Sequence, residues 1–363
     1  MDAYARALSR RVTADSVVVD IGSGTGIAAL IAARLGARAV HAIEINPAVH
    51  LLRDLAAENG LASKIHVHAA SSFDVELSEK ADVVVSDLRG AFALHDQHAE
   101  IVRDARARFL RPGGVMFPVA DEFFVAGFES FELQHRLSLT AQSFERLGFR
   151  GEAALFSTLN TRHSERDLLQ VTASDVVTTS TSWGAVDYGS WQGGVIAGTV
   201  ALEATRDAEM HGLVVWFKAR VDDDIEYENR PGTTMAYPRT VLPLLRPIRV
   251  ARGARIEVTL RVDEQAVQWA WNVSATDVDR KEIALRQASF FGMPVGIETL
   301  RKASSSFAPE RGPRAALASF VLSAMDGTAS LHDIEERTAA AFPKHPRASL
   351  ARQVRELVMR YAR

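Results

Sequence analysis

The chain has 363 residues, 47% of them apolar and 24% charged, with a formal net charge of −3 and no cysteine. These values suit two or three globular domains, each with its own core. They exclude a disulfide scaffold, a thiolate metal site and a global field favouring nucleic acid or an anionic membrane. No signal peptide opens the sequence and no apolar run reaches membrane-spanning length, so a cytoplasmic protein is expected.

In chain order, residues 2–12 predict a short helix with Tyr4, Ala7 and Leu8 on one face. Residues 17–46, VVVDIGSGTGIAALIAARLGARAVHAIEIN, then read as strand, glycine turn, helix and strand. Val17–Val19 is a β-branched run suited to a buried parallel strand, with Asp20 at its carboxyl end. Gly22, Ser23, Gly24, Thr25 and Gly26 form a turn that must bend sharply and admit a ligand to the backbone. A helix from Ile27 to Leu35 ends at Gly36, and a strand from Ala39 to Ile43 leads to Glu44 and Ile45. A helix over Pro47–Asn59 is capped by Asn46. Ile65–His68 is a third strand, whose exit Ala70-Ser71-Ser72 offers backbone N–H groups to a base, and Ala81–Ser86 is a fourth. This is the pattern of a Rossmann-like α/β domain over residues 1–118.

Two cofactor classes compete for such a unit. A dinucleotide places its pyrophosphate at the helix N-terminus of G-x-G-x-x-G. Here the spacing is G-S-G-T-G after an acid, and an acid there suits a cationic ligand better than a pyrophosphate. Glu44, about 24 residues after Asp20, is placed to accept hydrogen bonds from two ribose hydroxyls. The motif D-x-G-x-G-T-G resembles the first motif of class I S-adenosylmethionine (AdoMet) methyltransferases. The resemblance implies cofactor contacts from Asp20, Gly22, Ser23, Gly24, Thr25, Gly26, Glu44, Ile45, Ser71, Ser72 and Asp87. The plainer alternative is a glycine turn that only packs a helix on a sheet.

Residues 86–118, SDLRGAFALHDQHAEIVRDARARFLRPGGVMFP, follow the fourth strand, where a doubly wound sheet keeps its chemistry. This stretch resembles the protein arginine methyltransferase family, in which Ser-Glu, a glycine and a second Glu grip the substrate guanidinium. The same spacing puts Asp87 at the first acid, Gly90 at the glycine and Asp96 at the second acid. The resemblance therefore implies Asp87 and Asp96 as catalytic residues, with Arg89 beside the substrate. Independently of the family, two carboxylates facing one pocket bind a planar cation by paired charge-assisted hydrogen bonds and orient its nitrogen. Asp is shorter than Glu, so two of them widen the hollow by roughly 2–3 Å. A turn cap for Asp87 and a solvated helix face for Asp96 are the alternatives. His95 and His98 are expected at the surface.

Residues 119–290 carry period-two, β-branched and aromatic runs, suited to an antiparallel barrel or sandwich that serves as the substrate domain. Ala141–Leu147 interrupts them with a helix. The family resemblance implies a barrel here and a dimerisation arm near residues 141–166, hence a homodimer. Where family members carry Thr-His-Trp before a Thr-Val strand, this sequence has Met235, Ala236 and Tyr237 before Thr240-Val241. The histidine is absent, and Tyr237 is a candidate aromatic wall for substrate.

Residues 295–363 hold a Pro/Gly linker and three amphipathic helices, with an Asp326-Gly327 turn before a capped start at Ser330. They resemble the small winged-helix, PqqD-type peptide-binding modules, which implies leader-peptide binding by strand addition. A structural cap on the barrel is the alternative. The sequence thus points to AdoMet-dependent methyl transfer to a guanidinium or similar nitrogen of a peptide or protein. A small-molecule methyltransferase and a non-catalytic AdoMet- or peptide-binding scaffold are the other two readings.

Overall fold

The valine run that opens β1 (Val17–Ile21) is buried along its whole length, so both faces of that strand must be covered. The computed structural model, which describes residues 1–94, 97–149, 171–264, 268–289, 296–310 and 313–362, shows how. β1 pairs in parallel with β2 (Ala39–Ile43) and β4 (Ala81–Ser86); β3 (Ile65–His68) and β5 (Leu110–Phe117) complete the order β3-β2-β1-β4-β5. Helices α1 (Asp2–Arg11), α2 (Ile27–Arg34), α3 (Val49–Glu58) and α4 (His98–Arg108) flank this sheet. α2 lies close because it buries only Ala28, Ala29, Ala32 and Ala33. The order reverses between β1 and β4, and a crevice opens at such a switch point beyond the strands' carboxyl ends. α3 starts at Val49, two residues later than its sequence pattern suggests, although Asn46 Oδ1 still accepts the Ala48 N–H at 3.1 Å.

The chain then builds two antiparallel sheets. In the first, β6 (Ala120–Phe128), β7 (Thr181–Asp187), β9 (Ala208–Asp222) and β10 (Ile225–Glu228) run in the order β10-β9-β6-β7, and β11 (Thr240–Val250) also pairs with β9. In the second, β8 (Val195–Glu203), β12 (Arg255–Asp263), β13 (Gln268–Thr276) and β14 (Glu282–Ala288) run in the order β14-β13-β12-β8. Hydrogen bonding therefore gives two antiparallel sheets around one core, within the barrel-or-sandwich expectation. The helix after β6 is also longer than its pattern: α5 spans Phe131–Arg146. Much of the expected arm, residues 150–166, lies outside the described residues.

Contacts at both ends tie the parallel sheet to the antiparallel pair. Phe92, from the loop after β4, packs at 4.3 Å on Phe123 and 4.7 Å on Trp269, so the loop is anchored in the antiparallel core. At the other end, Arg11 reaches Asp222 at 2.5 Å and Arg10 bonds Asp224, fastening α1 to the β9–β10 turn.

Residues Val295–Arg363 form a separate compact unit from Met1–Pro294. It holds α6 (Ile297–Ala303), α7 (Pro313–Ala324), α8 (Leu331–Ala341) and α9 (Arg347–Tyr361), cored by Val321, Ile334 and Val354. Ser330 and Asp333 make a full capping box, and N–H groups of Thr328 and Ala329 hold the Asp326 carboxyl down at about 2. No strand occurs among the described residues of this unit, so they offer no edge for the strand addition expected of a leader-peptide module. Among the described residues no helix is long and apolar enough to cross a membrane.

Trp271 is fully buried and donates Nε1–H to the Pro243 carbonyl at 2.9 Å. Trp271→Ala should therefore lose about 3–5 kcal/mol in urea unfolding. Val278→Ala, at a site 44% exposed, should change stability by no more than about 0.5 kcal/mol.

Candidate active site

The glycine turn is shaped by what lies on top of it. Gly22 donates to the Ile43 carbonyl at 2.9 Å and has φ +69°; a Cβ there would sit 2.1 Å from Leu88 Cδ2. Leu88 comes from the loop after β4, so only glycine lets that loop close over the turn. Gly26, at φ +81°, would place a Cβ 2.0 Å from Leu52 Cδ1, and it caps α2. Gly26 thus lets α2 pack against Leu52 of α3, next to Thr25 and Ile27, which line the first hollow described below.

Two acids frame the turn. Glu44 is fixed by both oxygens: Oε2 accepts the Gly24 N–H at 2.7 Å and Oε1 the Asn46 N–H at 2.7 Å. Asp20 is 4% exposed, and its Oδ2 accepts the Ala29 N–H at 3.0 Å. Burial pushes the Asp20 carboxyl up to about 7; the Ala29 N–H opposes this and the charges of Asp87 and Glu44 add to it.

Two adjoining hollows share Gly22. One, of about 250 Å³, is lined by Met1, Tyr4, Asp20, Gly22, Ser23, Gly24, Thr25, Ile27, Ala28, Val85 and Asp87. The other, of about 340 Å³, includes Glu44, Ile45, Asn46, Ser71, Ser72, Phe73 and Leu88. Leu88 stands over Gly22 where they meet. Together they fall within the usual range for small-molecule sites, roughly 300–1,000 Å³. The structure thus gathers Asp20, the turn and Asp87 around one hollow and Glu44, Ile45, Ser71 and Ser72 around the next. Asp96 lies outside the described residues.

Asp87 immediately follows β4, and its side chain is 22% exposed. Tyr237, 150 positions away, donates its hydroxyl to Oδ2. Arg89 donates Nε and Nη2 to Oδ1 at 3.3 and 3.0 Å. Arg89 is expected to touch the substrate, but it has no exposed surface. It reaches the hollow only through Asp87, because its other bonds draw it inward: Nη1 to Asp121, and Nη2 to the hydroxyls of Tyr4 at 2.6 Å and Tyr227 at 2.5 Å. Asp121 in turn accepts from the Tyr188 hydroxyl at 2.7 Å. His98, expected at the surface, is also fully buried. It packs edge-on to Tyr188 at 5.3 Å, and burial, then the Arg89 charge, pushes it down to about 3.

Leu88, Tyr227, Asp121 and Tyr188 were not evident from the sequence, and Tyr4 was legible only as a core residue. Asp121 did leave a signal: it shares the inward face of β6 with Phe123 and Val125. An acid in such a set needs a buried partner.

Comparisons with known proteins agree with this geometry. Residues 5–109 match the family model "Ribosomal protein L11 methyltransferase (PrmA)". The chain is 39% identical over 132 residues to protein arginine N-methyltransferase 10 of Oryza sativa subsp. japonica, covering 36% of this chain and 35% of the relative. It is 27% identical over 265 residues to the probable histone-arginine methyltransferase 1.3 of Arabidopsis thaliana, covering 70% and 50%. It thus spans from about a third to half the length of these curated relatives. Among solved structures, protein arginine methyltransferase 10 of Arabidopsis thaliana superposes with a TM-score of 0.69 at 20% identity, covering 80% of this chain and 94% of that one. The fold is that of the protein arginine methyltransferases. A Trypanosoma brucei heterotetrameric enzyme–prozyme complex of this fold, containing S-adenosylhomocysteine (AdoHcy), gives a TM-score of 0.68 at 22% identity over 79% of this chain and 93% of that one. Within this arginine methyltransferase fold, both hollows lie at the switch point of the parallel sheet.

Asp20 yields a pH prediction. Its folded value, about 7, lies above its ordinary 3.8. Its contribution to stability is therefore full below 3.8 and lost as pH rises through about 7. Asp20→Asn removes that titration, so the stability of the variant relative to wild type should rise between pH 4 and 8 in thermal unfolding.

Proposed function

We propose that this chain is an AdoMet-dependent methyltransferase acting on the guanidinium nitrogen of arginine in a peptide or protein. One observation carries the reading: Asp87 lines the same hollow as Asp20 and the glycine turn, at the end of the strand neighbouring β1.

The residues present fit the cofactor. Asp20 would hold its positive end, Glu44 its ribose hydroxyls, and Ser71, Ser72 and Phe73 would border its base. Once bound, AdoMet supplies an electrophilic methyl group. The chain does the rest. Asp87 accepts a hydrogen bond from the acceptor cation, directs its nitrogen toward the first hollow and stabilises its charge until a proton leaves. Tyr237 and Arg89 hold Asp87 in one rotamer, and much of the acceleration of an in-line displacement comes from such positioning. Leu88 covers Gly22 of the turn. Asp96 is assigned as the second acid by its spacing from Asp87.

The reading includes a homodimer formed through an arm near residues 141–166, and a cytoplasmic location in keeping with the absence of cysteine. A small-molecule acceptor is the second reading, favoured by Ala236 standing where family members carry a histidine.

Incubation with labelled AdoMet and an arginine-rich peptide should put label on arginine. Asp87→Asn should lower kcat by about 100-fold or more, as loss of a preorganised charge contact does. Glu44→Ala should weaken AdoHcy binding by about tenfold or more in calorimetry. Label appearing only on small metabolites would favour the second reading, and unchanged turnover in Asp87→Asn would remove Asp87 from the mechanism.

A further inference from the structure

An ionised carboxylate offers about four lone-pair sites. Among the described residues, three donors already meet Asp87. Arg89 Nε and Nη2 both donate to Oδ1, at 3.3 and 3.0 Å, and Tyr237 donates to Oδ2. A planar guanidinium that grips a carboxylate end-on needs a free site on each oxygen. Against the donors of the described residues, Asp87 keeps one, on Oδ2.

Arg89 is not free to withdraw. Its Nη1 is bonded to Asp121, which has no exposed surface, and its Nη2 also meets the hydroxyls of Tyr4 and Tyr227. Its Cζ lies 4.9 Å from the centre of the Phe217 ring and 5.4 Å from that of Tyr227. Burial opposes the charge, but Asp121, Tyr4, Tyr227 and Asp87 outweigh it and keep the guanidinium protonated. An arginine of the chain itself thus sits behind the acceptor acid, in the acidic and aromatic surroundings that suit a guanidinium.

We propose that Arg89 is a positioning residue that sets acceptor selectivity: by occupying Oδ1 of Asp87 it withholds the two-point grip that would favour a guanidinium over a primary ammonium. Asp87 then meets the acceptor through a single N–H. This rests on the reading of Asp87 as the acceptor-side acid and deepens it.

The test is calorimetric and needs no turnover. Two peptides, glycine-flanked with one central arginine or one central lysine, are titrated into the full chain in the presence of AdoHcy. The variant Arg89→Met/Asp121→Asn removes both members of the buried pair together, so no charge is stranded, and Asn can still accept from Tyr188. Its arginine peptide should bind about tenfold tighter than in wild type, the size of one charge-assisted hydrogen bond, while the lysine peptide changes less than about threefold. Arg89→Lys, whose single ammonium stays with Asp121, is the second variant and should shift the ratio in the same direction. An equal gain for both peptides, no gain, or no binding by wild type and variants would overturn the proposal. Failure of the wild type to methylate arginine would instead count against the functional reading and would leave these binding ratios intact.

Discussion

Two buried charges, Arg89 on the loop after β4 and Asp121 at the start of β6, hold the parallel sheet and the antiparallel pair in one arrangement. Neither has exposed surface. A buried ion pair adds little net stability over an apolar pair, but breaking it by removing one partner is expensive. Its value here is positional. The loop that carries Leu88 over the glycine turn and Asp87 into the hollow is pinned at Arg89 by charge and at Phe92 by ring packing. With both pins in place the loop has little freedom to present Asp87 differently.

Around that loop the acids gather. Asp20, Glu44 and Asp87 face one crevice, and burial keeps Asp20 partly protonated near neutral pH until a cation offsets the penalty. Glu44 is rigid because two backbone N–H groups hold it, and Asp87 because a guanidinium and a phenol do. A site arranged in this way before its ligand arrives needs little reorganisation during the reaction.

The parallel sheet was legible because β1, β2 and β4 are largely buried and carry short valine- and alanine-rich runs, and because a glycine turn after an acid has few uses. The bounds of β2, β3 and β4 match the ranges read from the sequence. Other features rest on partners far away in the chain. Asp87 meets Tyr237 across 150 positions, and Arg89 meets Tyr227 across 138. An arginine two residues after a pocket acid reads as a substrate contact until those partners are known. His98 likewise looks like a surface residue until Tyr188 covers it. α5 outran its pattern because Ser130 caps it, donating its backbone N–H to His211 at 3.1 Å and accepting the Leu133 N–H at 3.2 Å.

The central claim is that the acid after β4 faces the same ligand that the glycine turn seats. A crystal structure with AdoHcy bound tests it most directly. The account predicts the ligand across both hollows, its ribose at Glu44 and its sulfur facing Asp87 over a gap that an acceptor nitrogen can fill. A ligand bound elsewhere, or a sulfur walled off from Asp87 by Leu88, would contradict it.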